Sequence, residues 1–537
     1  MENAVVMGVD VGTGSARAAL FDGRGKMLGR ASREIALSRP AQGHAEQDSE
    51  DIWRAVCAAA RAAREEAGIA PEDVRGISFD ATCSLVALGA DDRPASVSTA
   101  GDDRWNVVVW LDHRAIAEAE ECTASGHQVL DFVGGVMSPE MEIPKLMWLK
   151  RHRPEQWARY GRILDLADFL TFRASGSNAR SCCTVTCKWT YLAHEAPGWR
   201  ADFLRAVGLD DLIERAALPE CASPIGERLG PLTPEAAEDL GLTQKCQVGQ
   251  GLIDAHAGTL GALGRVLQDG GAALDRHIGL VAGTSSCLMA LSAEPRKVRG
   301  VWGPYLGAVA PGLWLNEGGQ SATGALLDHV LAWHAEARAL GERAHARVLE
   351  RIAELRRAEG EHFAIRLQVL PDFHGNRSPL ADPHAVGVIS GLTLDSSFDS
   401  LARLYYRTAV GIALGTRHIR DALNAKGYAI DHLYVTGGHT KNPLLMELYA
   451  DATGCTVVQP AEEDAVLLGT AMAAATAAGL FPDLPGAAAA MARDGAVRQP
   501  DPERCLAYDR DYRAFLAMHE HRRGLDAILV PGPGRAS

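Results

Sequence analysis

Apolar runs and glycine-rich polar turns alternate at the start of the chain. Residues 5–11 are mostly apolar, residues 12–15 read Gly-Thr-Gly-Ser, and residues 16–21 are again mostly apolar. This pattern predicts a strand, a tight turn and a second strand that returns beside the first. A turn at residues 22–25 and the stretch over residues 26–36 predict a third strand. We therefore expect the fold to open with antiparallel strands.

The rest of the chain mixes strand patterns with helical ones. Helical spacing of apolar residues predicts a helix over residues 51–67, and a proline near the first turn favours one that begins over residues 141–149. Helices are also predicted over residues 444–453 and over the alanine-rich residues 464–479, and residues 226–242 are predicted to be loop and short helix. Short apolar runs predict strands over residues 76–80, 85–88, 107–111 and 433–436. A further strand is predicted from residue 248, ending in the glycine-flanked residues Asp254 and His256. Both element types are thus expected along the whole chain.

The first glycine-rich turn has the composition of an anion site. Gly12 and Gly14 leave the turn free of bulk, so backbone N–H groups can converge on a phosphate beside the hydroxyls of Thr13 and Ser15. Asp10, at the mouth of the turn, is placed to hold the hydration shell of Mg²⁺. The glycine spacing is neither that of a dinucleotide fingerprint nor that of a P-loop, and an ordinary hairpin remains the alternative.

A second copy of this pattern lies half a chain later. Residues 278–290 again read as strand, Gly-Thr-Ser-Ser turn and strand, and residues 283–284 follow residues 12–13 by 283 − 12 = 271 positions. In that register Asp10 becomes Val281, so the second turn can donate to a phosphate but offers no carboxylate. We expect two related domains joined near residues 265–278, the alternative being two unrelated hairpins.

Five other segments carry candidate chemistry, and four of them have a purely structural alternative. The polar residues 80–84 interrupt an apolar stretch and could line a cleft, and Asp112-His113-Arg114 could bind a ligand or instead form a helix cap with a solvated face. Lys188 could reach a substrate oxygen or only bury its stem. Asp254 could be a base or a helix cap, and Gly437-Gly438 could admit a flat ring or phosphate, or serve only as a tight turn.

Composition and charge narrow the function classes. A chain of 537 residues is too long for one core and fits two large domains. A formal charge of −14 argues against nucleic acid or membrane surfaces as partners, and no apolar run reaches a membrane-spanning length. The eleven cysteines show no zinc-ligand spacing, although Cys182, Cys183 and Cys187 cluster. Reduced, buried thiols and a cytoplasmic location are therefore expected.

The duplicated turns, the Asp254 segment and the Gly437-Gly438 turn together resemble the FGGY carbohydrate kinases of the actin, Hsp70 and sugar-kinase superfamily. The resemblance covers about residues 4–480 and includes residues 141–149 and 437–457, which match the stretches by which the family is recognised. It implies an α/β fold of two ribonuclease-H-like domains, each with a five-stranded sheet, and ATP and sugar in the cleft between them. The implied division is an N-terminal domain over residues 1–265, a nucleotide-binding domain over residues 275–485 and a C-terminal extension over residues 486–537.

The resemblance also implies roles for individual residues. Asp254 matches the catalytic base, Asp10 matches the carboxylate on the Mg²⁺ side, and the cofactor is ATP. The implied nucleotide-binding residues are Gly12, Thr13, Gly14, Ser15, Arg17, Gly283, Thr284, Ser285, Gln320, Gly437, Gly438 and Asn442. The implied sugar-binding residues are Ala81, Thr82, Asp112, His113, Arg114, Lys188, Asp254 and Glu317.

Within the family the chain resembles the ribulokinase branch. Lys188, residues 112–114 and Glu317 carry this likeness, and residues 374–379 read His-Gly-Asn-Arg-Ser-Pro where many relatives have Gly-Glu-Arg. A lysine and a glutamate suit a ketopentose, because one donates to oxygens and the other accepts from hydroxyls. We predict an ATP-dependent kinase that converts D-ribulose to D-ribulose 5-phosphate and that could form a homodimer. L-Ribulose or ribitol as substrate, and a non-catalytic sugar- or nucleotide-responsive protein, remain alternatives.

Overall fold

The structure is a computed structural model that describes residues 4–268, 270–360, 363–462 and 464–529, with only the backbone at residue 272. Strands β1 to β20 are Val5–Val11, Ser15–Asp22, Met27–Glu34, Glu46–Gln47, Val74–Ala81, Leu85–Gly89, Val107–Val108, Tyr160–Asp165, Arg228–Pro231, Gln247–Gly249, Leu252–Ile253, His277–Ala282, Ser286–Ser292, Trp302–Leu306, Trp314–Gln320, Gln368–Leu370, Val388–Ser390, His432–Thr436, Thr456–Pro460 and Asp494–Arg498. Helices α1 to α18 are Ser49–Ala67, Ile116–Ala124, Glu142–His152, Pro154–Arg159, Leu166–Ser175, Cys182–Lys188, Ala201–Ala206, Leu212–Arg215, Pro234–Leu240, Asp254–Leu263, Gly324–Ala332, Ala335–Leu340, Ala344–Glu359, Phe398–Asn424, Pro443–Thr453, Ala465–Ala477, Leu484–Met491 and Pro502–Leu529.

The chain divides into two compact units. The first comprises Met1–Gly279, Met289–Glu317 and Pro460–Gly495, and the second comprises Leu280–Leu288, Gly318–Gln459 and Ala496–Ser537. Both main sheets have seven strands among the described residues, two more than the five implied by the family resemblance. No helix in the described ranges is long and apolar enough to cross a membrane.

The main sheet of the first unit is organised around β1. Its strand order is β3-β2-β1-β5-β10-β9, and β11 pairs with β5 beyond β10. Every residue of β1 is buried, which accounts for its continuous run of branched residues. The strand β1 runs antiparallel to β2 and parallel to β5, and Asp10 lies opposite Arg17 on β2 and beside Asp80 on β5. The sheet thus collects charged residues at the carboxyl end of β1.

An alanine-rich helix from late in the chain covers this sheet. Helix α16 packs on β1, β5 and β10 and against α10. A Cβ on Gly8 of β1 would lie 2.5 Å from the carbonyl oxygen of Leu467, and one on Gly261 of α10 would lie 2.0 Å from that of Ala465. The close approach therefore requires small residues on both sides, which explains the composition of α16.

The second unit combines a parallel strand pair with long helices. Strands β18 and β19 pair in parallel, with Leu433 beside Val457. The 27-residue helix α14 packs against α11, α13 and α15, and α18 packs on α15. Buried ion pairs fix the last helix, with the Arg407 guanidinium donating to Asp511 at 2.8 Å. These helices support the strand ends on which the predicted nucleotide residues lie.

Most predicted elements are confirmed, including both strand-turn-strand copies and the helices over residues 51–67, 141–149, 444–453 and 464–479. Three predictions are wrong. Residues 226–242, predicted to be loop and short helix, also contain strand β9 at Arg228–Pro231, because these residues pair with β10 of the main sheet. The strand predicted over residues 107–111 is only Val107–Val108, because a turn begins at residue 110. The strand predicted from residue 248 breaks into β10 and β11 and gives way to α10 at Asp254, so Asp254 and His256 lie on a helix. Residues 530–537, at the end of the predicted extension, lie outside the described residues.

Candidate active site

A charged cluster surrounds the first glycine-rich turn. Asp10 is fully buried at the end of β1, and the guanidinium of Arg17 on β2 contacts its carboxylate. Arg17 also donates to the Asp464 carboxylate at 3.4 Å, which in turn caps α16 by accepting from the backbone N–H of Leu467. Burial raises the pKa of Asp10 to about 6, even though Arg17 opposes the shift. Arg17 is therefore held by carboxylates on two elements.

Asp80 provides a second buried carboxylate beside Asp10. The two residues are neighbours in the parallel register of β1 and β5, and burial together with the charge of Asp10 raises the pKa of Asp80 well above its usual value. One Asp80 oxygen accepts from the Thr470 hydroxyl of α16, and the other has no hydrogen-bond partner among the described residues. Asp80 belongs to the polar residues 80–84 that were predicted to line a cleft, but neither Asp80 nor Thr470 was assigned a role in the predicted site. An apolar strand that ends in Asp, as β1 does, is the signal for Asp80.

Asp254 lies at the same end of the sheet. Strand β11 pairs with β5 so that Ile253 is level with Ala81, and Asp254 follows as the first residue of α10. Its half-buried carboxylate accepts from the N–H of Ala255 at 2.7 Å, and burial raises its pKa. Ile253, not Asp254, occupies the capping position, so the simple helix-cap alternative does not hold.

Ala81 and Thr82, predicted to contact sugar, end the strand next to Asp254. The Thr82 hydroxyl lies 3.0 Å from that of Ser84, and its backbone N–H donates to the carbonyl of Val11. The structure thus brings Asp10, Ala81 and Asp254 together at the carboxyl ends of neighbouring strands of one sheet.

Lys188 and Glu317 form a buried pair in the same unit. Lys188 ends α6 with only 2% of its surface exposed, so the alternative of a solvent-tipped lysine is wrong. Its Nζ lies 3.8 Å from Glu317 Oε2 and 4.4 Å from the ring centre of Trp302. Burial opposes its charge, but the acidic groups around it, Cys83 and Glu317 first, hold the pKa of Lys188 well above its usual value. The positive charge of Lys188 also lowers the pKa of Asp254, so the two side chains interact electrostatically.

Asp112 and Arg114 form a buried ion pair. The Arg114 guanidinium donates to Asp112 at 2.7 and 2.8 Å and to Glu46 at 2.9 Å, and Asp112 also accepts from the backbone N–H of Ala45 at 2.6 Å. Both side chains are almost fully buried, so the solvated-face alternative is wrong, and α2 begins four residues later without an Asp cap. His113 follows within this network through its backbone N–H, which donates to Gly43. Contact of residues 112–114 with sugar stays a prediction.

Helix α3 adds a buried Glu142–Lys145 pair. The two charged groups lie 3.5 Å apart and are fully buried, and burial raises the pKa of Glu142 to about 7. The positive charges of Lys145 and Lys188 and the negative charge of Asp112 act on Glu142, so the pair lies near the residues predicted to bind sugar. The signal in the sequence is two charged residues inside an otherwise apolar helical stretch.

The first turn itself is half-buried or exposed. Gly12 N–H donates to the carbonyl of Ser15 at 3.0 Å, which closes the turn. The Thr13 hydroxyl accepts from the indole N–H of Trp110 at 2.9 Å, and its carbonyl accepts from the amide of Gln47 at 2.8 Å. Gly14 is exposed, and a Cβ there would meet nothing within 4 Å. The turn is thus anchored from behind and open at its tip.

The second turn, in the second unit, is held by neutral groups. The carbonyl of Gly283 accepts from His439 Nε2 at 2.9 Å and from the N–H of Gly324 at 3.1 Å, and that of Thr284 accepts from the N–H of Thr323 at 3.0 Å. Gly283 N–H donates to the carbonyl of Ser285 at 2.8 Å. Burial lowers the pKa of His439 to about 4, so its ring is neutral at pH 7.

The remaining predicted nucleotide residues of this unit divide into two groups. Gly437 has φ of +87° and packs against Ala282, where a Cβ would lie 2.5 Å from the carbonyl oxygen, whereas Gly438 has open space. Asn442 caps α15 by accepting from the N–H groups of Leu444 and Leu445, and the amide of Gln320 donates to Ile412 and Thr416 on α14. Gly438 is therefore the open position, and the polar side chains of Gln320 and Asn442 are used in packing.

Comparison with known proteins identifies the family. Residues 5–261 match the N-terminal domain of the FGGY family of carbohydrate kinases, and residues 279–478 match its C-terminal domain. The chain belongs to the FGGY family of carbohydrate kinases. It is therefore an enzyme that transfers a phosphoryl group to a carbohydrate.

Three relatives of this FGGY kinase are informative. It is 42% identical to an FGGY carbohydrate kinase domain-containing protein of Xenopus laevis over 98% of each chain. It is 38% identical to the D-ribulokinase of Saccharomyces cerevisiae over 88% of this chain and 71% of that protein. Its fold is similar to the crystal structure of xylulose kinase from Rhodospirillum rubrum, with a TM-score of 0.78 and 26% identity over 97% of this chain and 99% of that one. The α/β sugar-kinase fold predicted from the sequence is thus confirmed.

Sugar kinases of this fold use ATP with a divalent metal, and the first turn has donors that fit one. Asp10 and Asp80 place two carboxylates side by side, and one oxygen of Asp80 lacks any partner among the described residues. Carboxylate oxygens are hard donors of the type that Mg²⁺ prefers. The second turn offers hydroxyls and backbone N–H groups, which suit a phosphate but not this metal.

Proposed function

We propose that this FGGY kinase phosphorylates a ketopentose with ATP and Mg²⁺, converting D-ribulose to D-ribulose 5-phosphate. The observation that carries the proposal is the buried Lys188–Glu317 pair, which offers one strong donor and one strong acceptor in the unit that holds Asp254. A ketopentose presents a carbonyl and several hydroxyls, which need these two kinds of partner. The likeness to a D-ribulokinase over most of the chain supports the same substrate class.

In the proposed reaction Asp254 acts as the general base. A sugar hydroxyl is a poor nucleophile at neutral pH, and a carboxylate within hydrogen-bond reach accelerates its attack by about 10²- to 10⁴-fold. Burial raises the pKa of Asp254, which makes the carboxylate a stronger proton acceptor than an exposed aspartate. Lys188 would donate to the carbonyl or a hydroxyl of the sugar, and Glu317 would accept from hydroxyls.

The phosphate groups of ATP are assigned to the two glycine-rich turns. Open backbone at Gly14 and Gly283, where a Cβ would have free space, allows phosphate oxygens to approach N–H groups. Asp10 and Asp80 would hold Mg²⁺, which when bound neutralises negative charge on the phosphates of ATP. Arg17 stays paired with Asp10 and Asp464 and keeps these carboxylates in place.

The compartment proposed for this reaction is the cytoplasm. All eleven cysteines are free, and eight of them are buried. Unpaired thiols in this number suit a reducing compartment.

The substrate is tested by measuring ADP release with Mg²⁺, ATP and a panel of ketopentoses, aldopentoses, pentitols and glycerol. We expect the highest kcat/KM with D-ribulose. A higher value with L-ribulose or ribitol would replace the substrate but keep the kinase. ATP binding without any sugar-dependent ADP release would refute the proposal and favour a nucleotide-responsive protein.

The base is tested with Asp254→Asn, which keeps the size of the side chain. We expect kcat to fall by about 10²- to 10⁴-fold while ATP binding changes little. The matched control is Asp483→Asn, because Asp483 is also a carboxylate at a helix start, accepting from the N–H of Gly486 at 2.8 Å, but belongs to α17. Near-normal turnover of Asp254→Asn would remove Asp254 from the role of base.

A further inference from the structure

Two cysteines and a histidine form a buried cluster in the first unit. Cys183 and Cys187 lie one turn apart on α6, and His256 lies on the first turn of α10. The two sulfur atoms and one ring nitrogen all lie within 4.8 Å of one another, and all three side chains are buried. Cys187 Sγ lies 3.3 Å from His256 Nε2. No sequence spacing indicates this cluster, because 69 positions separate Cys187 from His256.

The spacing of these atoms suits a tetrahedral zinc ion. Zinc binds sulfur at about 2.3 Å and nitrogen at about 2.0 Å, so neighbouring ligand atoms in a tetrahedral site lie roughly 3.5 to 3.8 Å apart. The Cys187–His256 distance is close to this range, and the 4.8 Å limit leaves only small adjustments for Cys183. Two thiolates and an imidazole are the ligand types that favour Zn²⁺ over Mg²⁺.

The surroundings of the cluster support ligation. The backbone N–H of Ile253 points at Cys183 Sγ at 3.4 Å, a hydrogen bond that stabilises a thiolate. His256 Nδ1 has no hydrogen-bond partner among the described residues, so it is free to carry the ring proton while Nε2 binds the metal. Each of these features leaves a ligand atom available in its metal-binding form.

Glu317 lies next to His256 and is the candidate for a fourth ligand. Its Oε2 lies 3.9 Å from His256 Nε2, is buried, and has no hydrogen-bond partner in the described part of the chain. Two thiolates and one carboxylate carry three negative charges, and one Zn²⁺ with the nearby Lys188 ammonium carries three positive charges. The buried group would then be neutral, which avoids the large cost of an uncompensated charge.

We propose that Cys183, Cys187, His256 and Glu317 form a binding site for Zn²⁺, and that zinc in this site competes with the sugar. The competition follows because Glu317 cannot bind zinc and accept from sugar hydroxyls at once. This second part rests on the proposed kinase function, whereas the zinc site itself does not.

Metal binding is tested by titrating the reduced, metal-free full-length protein with Co²⁺ and displacing it with Zn²⁺. A Cys221→Ser background removes a cysteine that is exposed. We expect one Co²⁺ per chain, with thiolate-to-cobalt charge-transfer absorption that Zn²⁺ abolishes. Absence of stoichiometric binding, or a spectrum without thiolate charge transfer, would overturn the proposal.

Variants of the ligands localise the site. Cys187→Ser and His256→Gln should each weaken Co²⁺ binding by about 100-fold or more. Mutation of a residue that only hydrogen-bonds to a metal ligand already lowers metal affinity by about 10- to 100-fold, and loss of the ligand itself should cost at least as much. Cys182→Ser is the matched control, because Cys182 lies on the same helix but directs its thiol to the carbonyl of Leu306 at 3.3 Å. Circular dichroism verifies folding, and the two ligand variants act on different helices. Equal affinity of all three variants would refute the assignment.

Competition is tested by sugar kinetics with and without Zn²⁺. We expect zinc to raise the KM for sugar in the parent and in Cys182→Ser, and to have a much smaller effect in Cys187→Ser. An unchanged sugar KM in zinc-loaded protein would overturn the role of Glu317 as fourth ligand. Failure of the kinase proposal would leave the cobalt spectrum intact, so the two failures are distinguishable.

Discussion

The two glycine-rich turns both join a pair of strands but differ in their electrostatics. Around the first turn, Asp10 and Asp80 are buried carboxylates with raised pKa values. Around the second turn, His439 is neutral and Val281 stands where the first turn has Asp10. The repeated strand-turn-strand unit therefore has buried carboxylates beside its first turn, whereas phosphate binding by either turn stays a prediction. This difference gives the two turns different predicted roles.

The largest expected effect comes from removing the carboxylate that distinguishes the turns. Asp10→Asn should lower the apparent affinity for Mg²⁺ by about 10- to 100-fold or more, because a charged oxygen donor is lost. Activity measured as a function of Mg²⁺ at saturating ATP checks this. Adding Val281→Asp should not restore Mg²⁺ affinity, since the second turn lacks the neighbouring carboxylate. Rescue by Val281→Asp would contradict the division of roles.

Gly437 tests the backbone that supports the second turn. Gly437→Ala should destabilise the protein by about 3 kcal/mol, because its φ of +87° strains an L-residue and the new Cβ would lie 2.5 Å from the carbonyl oxygen of Ala282. Gly438→Ala is the matched control, since the nearest atoms lie 4.0 Å from its Cβ. Denaturant unfolding compares the two variants. Equal stability of both would show that the strain at Gly437 is relieved.

His439 tests the neutrality of the second turn through pH. Its pKa of about 4 lies below the usual 6.5, so between these values the unfolded chain binds the extra proton and stability falls as pH falls. The expected loss from this group between pH 7 and pH 5 is about 2 kcal/mol. His439→Gln should remove that part of the pH dependence in unfolding experiments, whereas His519→Gln should remove a separate part, because the pKa of His519 is also about 4. An unchanged slope in His439→Gln would contradict a neutral His439.

The smallest change in stability is expected at the turn tips. Gly14→Ala and Gly283→Ala should each alter stability by less than about 0.5 kcal/mol, because a Cβ meets nothing within 4 Å at either position. Both should nevertheless raise the KM for ATP, since the methyl group enters the space assigned to phosphate oxygens. Unaffected KM values with both variants would show that neither tip lies against the nucleotide.

Local patterns predicted much of the fold but placed some boundaries wrongly. Branched residues around Gly12–Gly14 and the alanine-rich run of α16 contain enough local information to define their elements. The prediction of a strand from residue 248 to Asp254 was wrong because a short apolar run fits both a strand and the start of a buried helix. Packing against β5 and α16 decides between them. The strand predicted over residues 107–111 was too long for a related reason, since the apolar residues after Val107–Val108 continue into a turn.

The candidate site divides in the same way. Asp10, Asp254 and Lys188 were predictable because each interrupts an apolar or glycine-rich pattern at the end of an element. Thr470 was not, because its partner Asp80 lies 390 positions away, and the contact of His256 with Cys187 was not, because 69 positions separate them. The ion pair of Arg114 with Asp112 and the helix cap formed by Asn442 likewise depend on the three-dimensional geometry.

By itself, the sequence determined the duplicated turns, the absence of a carboxylate from the second turn and the kinase family, because each is recognised from short stretches of consecutive residues. Only the tertiary structure decided that α16 covers the sheet of β1, that Lys188 is buried against Glu317, and that Cys183, Cys187 and His256 meet. The physical reason is that burial and pairing depend on which distant segments pack together. Local patterns do not contain that information.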